Sequence, residues 1–344
     1  MPTGVDVTPL GDDVETRERS GVMVSIIGHS EIRAFAEERV NLPAVTAKKH
    51  RDQVKALRER LERKIDADPD YGLVKMLHAG SVAKGTALCK VHDLDTAVYV
   101  KAAVAPSGSD KQLIPWLADR LFEANTNMSR GQFVENEHCV TVSFMGTGLD
   151  VDVVPVLYEG GAEDRGYLVR KRTGDRVLTS ITLHLRFIRA RKATYGPDFA
   201  QLIRLTKWWK RVATDRDEDF RFKSFMIELL WAHLADGGLS LSDYPTALER
   251  FFAYIVKTGF ADQVAFTDFC TASQIPARSN AAVEVLDPVN VGNNVGVRYA
   301  TADRDRIITA AHQALDALNE ARFAPTRGRA VECWQVVFGP TFKG

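Results

Sequence analysis

Leu73-Val74-Lys75-Met76-Leu77-His78-Ala79-Gly80-Ser81-Val82-Ala83-Lys84-Gly85-Thr86 reads as a strand that breaks into a loop rich in glycine and hydroxyls. In such a loop, backbone N–H groups can face phosphate oxygens. It is not a Walker A loop, which needs Lys directly after the second glycine, where Thr86 stands. A plain glycine-serine turn entering a helix would carry the same residues.

Working outward, Leu94–Val100 reads as a second strand, and Asp93 and Asp95 stand at i and i+2 at its start, so their carboxylates share one face. Two adjacent carboxylates repel unless a cation lies between them, and hard oxygen ligands of this kind hold Mg²⁺ beside substrate phosphates. A solvated turn is the alternative. Cys139–Phe144 forms a third strand and Val151–Val156 a fourth, with Gly146 and Gly148 marking the turn between them. Asp152 sits within Leu149-Asp150-Val151-Asp152-Val153-Val154-Pro155, where an ionised carboxylate among valines needs a partner. A metal shared with Asp93 and Asp95 would supply one. Asp150, on the same face but nearer the strand start, is the rival ligand.

A helix over Pro43–Ile65 precedes these strands, with Val54, Leu57, Leu61 and Ile65 at helical spacing. Another is expected over Lys111–Asn125. From about residue 178 the chain turns helical, with helices at Ser180–Lys192, Pro197–Arg211, Ser224–Leu234, Tyr244–Lys257 and Ala302–Ala321, interrupted by one short strand at Ala282–Leu286. Strands in the first half and helices in the second define an α+β fold rather than a βαβ array.

The 344 residues carry 45 Lys and Arg against 45 Asp and Glu, a balance that speaks against non-specific coating of long nucleic acid. Between Arg165 and Arg211, however, the charge is strongly basic, which suits either a solvated face or attraction of triphosphates. Cys89, Cys139, Cys270 and Cys333 are scattered, as expected of free thiols in a reducing cytosol rather than a zinc or disulfide framework. No apolar run is long enough for a membrane span, and the polar leader does not read as a signal peptide, so a cytoplasmic protein is expected.

The order Gly-Ser…Gly-Thr, Asp-x-Asp, then a third Asp on a later strand resembles the DNA polymerase β-like nucleotidyltransferase superfamily. The blocks His184-Leu185-Arg186-Phe187-Ile188-Arg189, Gln201–Lys210, Phe222–Leu230 and Leu286-Asp287-Pro288…Asn293-Asn294-Val295 narrow the match. They resemble the bacterial cyclic-oligonucleotide synthases, the CD-NTase family, related to oligoadenylate synthase and cyclic GMP-AMP synthase. Val40-Asn41-Leu42-Pro43 and Leu77–Thr86 look most like the clade D members. The resemblance runs from about residue 35 to 322.

It implies a bilobal enzyme: a mixed-sheet catalytic lobe and a helical lobe joined by a long N-terminal spine helix. Residues 1–20 would be a flexible leader, 21–175 the catalytic lobe with its spine helix, 176–325 the helical nucleotide-binding lobe, and 326–344 a surface tail. The implied activity joins ATP, alone or with GTP, into a cyclic di- or trinucleotide for anti-phage (CBASS) signalling and releases pyrophosphate. Asp93 and Asp95 would hold two Mg²⁺, for which Mn²⁺ can substitute, and Asp152 would ligate the catalytic ion and orient the attacking hydroxyl. Gly80, Ser81, Lys84 and Thr86 would grip phosphates from one side, with Lys207 and Ser224 on the other and Phe225 stacking on a base.

Taken alone, Lys207 reads as a solvated charge, Trp208 and Trp209 as core, His184 as packed or linked to an N-cap, and Asn293-Asn294 as a turn. The implied partners are HORMA-domain and AAA+ regulators and a separate effector, with no membrane and no template. The rival readings are a linear oligonucleotide synthase, a transferase acting on an RNA end or a protein, and a nucleotide-binding pseudo-enzyme.

Overall fold

A computed structural model describes residues 25–66, 71–89, 93–101, 110–161 and 163–344. The expected leader lies outside the described residues, as does the side chain of Asp93, whose backbone opens a strand.

Val54, Leu57, Leu61 and Ile65 do form one buried stripe, on α2 (Ala44–Asp66). It packs against a seven-stranded mixed sheet built from β1 (Gly72–Ala79), β2 (Asp93–Lys101), β3 (Phe133–Glu135), β4 (Val140–Phe144), β5 (Leu149–Gly160), β6 (Arg165–Val169) and β7 (Arg176–Thr179). The order is β1-β2-β5-β4-β3, with β6 on β5 and β7 on β6. Among the described strands of this sheet, β2 and β5 pair in parallel and the other pairings are antiparallel. An amphipathic helix over Leu113–Ala124 buries Ile114, Trp116, Leu117 and Leu121 in the same core. β3, β6 and β7 are three to five residues long, too short to show a period in the sequence.

A second core gathers the helices Ile181–Tyr195, Pro197–Arg216, Ser224–Asp236, Tyr244–Thr258 and Thr301–Arg322. Trp208 and Trp209 lie within it, as read from sequence. Two corrections concern its limits. Ile27, Ile32, Phe35 and Val40, expected in the catalytic lobe, belong to this helical core, as do the helix His29–Phe35 and the π-turn Ala36–Val40 that carry them. The segment 326–344, expected as a surface tail, forms a helix over Arg327–Phe338 whose Trp334 and Phe338 are buried with Phe342. Phe338 stacks on Phe35 at 5.1 Å, and its carbonyl accepts Trp208 Nε1 at 2.9 Å. Ala330, Trp334 and Phe338 recur every fourth residue, a helical stripe masked by the surrounding Gly, Arg and Pro.

The expected strand at Ala282–Leu286 is reduced to isolated bridges, Val285 with Val264 and Leu286 with Asn294. Asn294 holds this irregular stretch by accepting the N–H groups of Val285 and Gly296 and donating to the Val283 carbonyl. Among the described residues, no helix is long and apolar enough to cross a membrane.

Candidate active site

The parallel pairing of β2 and β5 sets Asp93 opposite Asp150 and Asp95 opposite Asp152. Partners in register share a face, so side-chain alternation sends Asp95 and Asp152 to the same side. Both line a cleft of about 430 Å³ between the sheet and the helical core, and Asp150 is not among its lining residues. Asp152 is held from the next strand, where Thr141 Oγ1 donates to its Oδ1 at 2.5 Å. Thr141 in turn accepts Asn136 Nδ2 at 2.8 Å. The Cys139 thiol lies close by; burial and the Asp152 charge push it up to about 12, which keeps it protonated at neutral pH.

The loop after β1 is a short helix, α3 (Gly80–Lys84), closed by Gly85 in the left-handed conformation. Gly80 is glycine for two reasons. Its φ is +66°, and a Cβ there would stand 1.5 Å from Asp95 Oδ2, so the carboxylate occupies the space of the missing side chain.

The opposite wall comes from α6 (Pro197–Arg216) and α7 (Ser224–Asp236). Of the site residues expected from sequence, Gly80, Ser81, Lys84, Thr86, Asp95, Asp152, Lys207, Ser224 and Phe225 all line the cleft. Their roles within it divide. Glu228, a carboxylate that the sequence reading did not single out, is buried on α7 and gathers three of them. It accepts Lys207 Nζ at 2.6 Å, Lys84 Nζ at 2.8 Å and Thr86 Oγ1 at 2.8 Å. Burial alone would raise its pKa; Lys84 and Lys207 override that and hold it at about 2. The ammonium of Lys207, expected to meet phosphate, is thus committed to Glu228 and to Thr86, whose hydroxyl accepts it and donates to Glu228.

Lys210, one helical turn further along α6, stands differently. It lines the cleft and donates to Ser224 Oγ at 3.3 Å, and no carboxylate among the described residues pairs with it. Burial and the neighbouring Lys207 lower its pKa. Phe225 is half-buried, with Lys84 Nζ 4.6 Å from its ring centroid and the His184 ring edge-on at 5.2 Å. His184 Nε2 bonds buried Asp287 Oδ1 at 2.8 Å, which makes it a packed brace, as expected, rather than a group open to substrate.

The helical lobe also grips the end of α3. Three successive carbonyls, of Lys84, Gly85 and Thr86, accept from Lys192 Nζ, Arg204 Nη1 and Lys207 Nζ at 3.3, 2.6 and 3.3 Å. Cations at the carbonyl end of a helix are favourable, and here they tie the loop to the other lobe. Glu228 carried a signal in the sequence, as the lone acid in Met226-Ile227-Glu228-Leu229-Leu230. Lys210 and Arg204 carried none that separates them from the other bases of α6.

A mixed sheet with two in-register carboxylates, a glycine-opened short helix and a helical lobe across the cleft define the polymerase β-like class of nucleotidyltransferase. No protein-family model matches the chain. It is 46% identical over 318 residues to the cyclic AMP-AMP-AMP synthase of Escherichia coli strain MS 115-1, spanning 92% of this chain and 98% of that one. It is 30% identical over 319 residues to the CBASS oligonucleotide cyclase CdnC of E. coli strain KTE188, spanning 92% and 97%. The solved E. coli MS115-1 CdnC with ATP superimposes with a TM-score of 0.84 at 45% identity, covering 92% of this chain and 99% of that one. Vibrio cholerae DncV cyclic AMP-GMP synthase, at 11% identity and a TM-score of 0.70 over 92% of this chain and 96% of its own, shares the fold.

The chain belongs to the CBASS oligonucleotide cyclases of the CD-NTase family, and is a nucleotidyltransferase enzyme that makes a cyclic oligonucleotide for anti-phage signalling. The relatives' shared name, CdnC, leaves the clade D resemblance unassigned.

Proposed function

We propose that this enzyme joins three adenylates from ATP into a ring, without a template. The observation that carries this reading is the Asp95–Asp152 pair facing Lys210 and Ser224 across one cleft, in a chain 46% identical to a cyclic AMP-AMP-AMP synthase.

Among the described residues, no three His, Cys, Asp or Glu side chains converge as a metal site. The fit rests on two hard carboxylates in register, with Asp93 two residues from Asp95 on the same strand face. Asp93, Asp95 and Asp152 would hold a pair of Mg²⁺ ions. When bound, these supply Lewis-acid stabilisation of charge at the attacking and leaving oxygens, and Mn²⁺ can take their place.

The chain's own residues do the rest. Lys210 and Ser224 bind the donor triphosphate, and the N–H groups of Gly80 and Ser81 face it from the sheet lobe. Phe225 offers a ring to a base but no hydroxyl. Asp152, fixed by Thr141, orients the acceptor hydroxyl and takes its proton. The hydroxyl oxygen bonds to the α-phosphorus, the bond to the β-phosphate oxygen breaks, and pyrophosphate leaves with the electron pair. The same transfer closes the ring once the linear product is held with both ends in the cleft. The lysines and Thr86 around Glu228 shape the wall rather than touch substrate.

By similarity to the E. coli MS115-1 CdnC:HORMA complex, we extend the reading to a HORMA-domain regulator. An AAA+ regulator, a separate effector that binds the product and a cytoplasmic location complete it. GTP is a second substrate to be tested beside ATP.

Purified protein with ATP, GTP and Mg²⁺, and no nucleic acid, should yield a product with the mass of three linked AMP units that phosphatase cannot trim. A product that phosphatase trims fully would replace ring closure with linear oligonucleotide synthesis.

A further inference from the structure

Lys210 and Ser224 mark the phosphate end of the cleft, and a second cavity of about 420 Å³ shares Lys210 with it. The walls of this groove add Arg221, Lys223 and Arg298, with a single carboxylate, Asp303. That carboxylate is already engaged: its Oδ2 accepts the Ala300 N–H at 2.9 Å and caps the helix Thr301–Arg322. Arg221 is turned back onto its own loop, donating to the carbonyls of Glu218 and Phe220.

Lys210, Lys223 and Arg298 remain, and among the described residues none of them is paired with a carboxylate. Lys223 Nζ donates to a neutral acceptor, the Val295 carbonyl, at 2.6 Å. The pKa of Lys210 is lowered by burial and by Lys207, and that of Lys223 by desolvation and by Arg298. The cations outnumber the one carboxylate, Asp303, and a groove with such an excess of positive charge favours a bound anion of high charge. Phe220, Phe222 and Tyr299 lie beneath the groove with their rings largely buried, and Lys223 Nζ stands 5.8 Å from the Tyr299 ring centroid.

We propose that this groove binds inorganic pyrophosphate and leads it away from the donor end of the cleft, from Lys210 to Lys223 and Arg298. The proposal rests on the nucleotidyl-transfer reading above, in which each bond formed leaves one pyrophosphate at the Lys210–Ser224 corner. A site that draws it off would clear the donor position for the next ATP.

The test is calorimetric titration of wild type and a Lys223→Gln/Arg298→Gln double variant with two probes: pyrophosphate with Mg²⁺, and an ATP analogue with an α,β-methylene bridge. Both side chains are exposed, so the fold should survive the change. Two lost charge-assisted contacts should weaken pyrophosphate at least ~10-fold and leave the analogue within ~2-fold. Pyrophosphate product inhibition should weaken in parallel.

Unchanged pyrophosphate affinity would overturn the proposal, since the ligand would then sit only in the donor cleft. An equal loss for both probes would also overturn it, by making the groove part of the ATP site. Wild type that binds the analogue but not pyrophosphate would remove the groove alone. Wild type that binds neither would strike the nucleotide reading itself.

Discussion

The two walls of the cleft reach their geometry by different routes. On the sheet side, Asp95 and Asp152 are aligned by strand register: their backbones are fixed by β2–β5 pairing, and the pleat does the rest. On the helical side, no local rule decides which cation faces the substrate. Lys207 and Lys210 are three residues apart on α6, close to one helical face, yet one is neutralised by Glu228 and the other is not. A register-built wall tolerates changes that keep the strands paired. A network-built wall depends on each member, because removing one strands a buried charge.

The sheet side should show the largest effects. Asp95→Asn and Asp152→Asn are each expected to reduce pyrophosphate release to background, whereas Asp150→Asn, outside the cleft lining, should retain most activity. Gly80→Ala should match Asp95→Asn, because its Cβ must displace the Asp95 carboxylate. The left-handed backbone adds only about 1–2 kcal/mol of instability to that variant. Initial rates from ATP with Mg²⁺, alongside melting curves, check all four. An active Gly80→Ala protein would mean that Asp95 can move without loss, and an inactive Asp150→Asn would move the third ligand to the strand start.

The helical side should separate binding from stability. Lys210→Ala is expected to weaken ATP-analogue binding with little change in unfolding midpoint. Lys207→Ala should do the opposite, lowering the unfolding midpoint because buried Glu228 would lose its closest cation and keep only Lys84 and Thr86. Acid should reveal the same network. The Glu228 carboxyl is held at about 2, below its ordinary 4.5, so its contribution is complete above that ordinary value and is lost as pH falls towards 2. That shift corresponds to about 3 kcal/mol. Urea midpoints of wild type and Glu228→Gln should therefore converge as the pH is lowered through that window. A constant gap would mean that Glu228 is not held ionised by its lysines.

The contrast between the walls also explains what was legible in the sequence. Asp93, Asp95 and Asp152 stood out because alternation along a strand fixes the side of every second residue, and a carboxylate among valines needs a reason. The long spine helix was visible in the spacing of Val54, Leu57, Leu61 and Ile65. Lys210 was not separable from Lys207, since the difference lies in a residue on another helix, Glu228. The C-terminal helix was hidden for a related reason: Trp334 and Phe338 acquire meaning only against Phe35, about three hundred residues earlier. Neighbour-to-neighbour periods survive in a linear reading, and partners brought together by the tertiary fold do not.

The smallest effect tests whether register alone is enough on the sheet side. Thr141 faces Asp152 from β4, its hydroxyl bonded to the carboxylate and itself fixed by Asn136. It touches neither substrate nor phosphate in the reading above, so it is a positioning residue. Thr141→Val keeps the shape and the strand propensity of the site but removes the hydroxyl that donates to Asp152 Oδ1. Groups of this kind, one bond removed from a metal ligand, typically change metal affinity by about 10–100-fold. The expected outcome is a rise in the Mn²⁺ concentration needed for half-saturation, measured directly by electron paramagnetic resonance of free Mn²⁺, toward the lower end of that range. Thr141→Ser should restore it, because the hydroxyl returns while the methyl does not. If Thr141→Val binds Mn²⁺ like wild type, strand register suffices to aim Asp152. If Ser fails to rescue, the methyl group and its packing matter more than the hydrogen bond, and Asn136→Ala should then be silent as well.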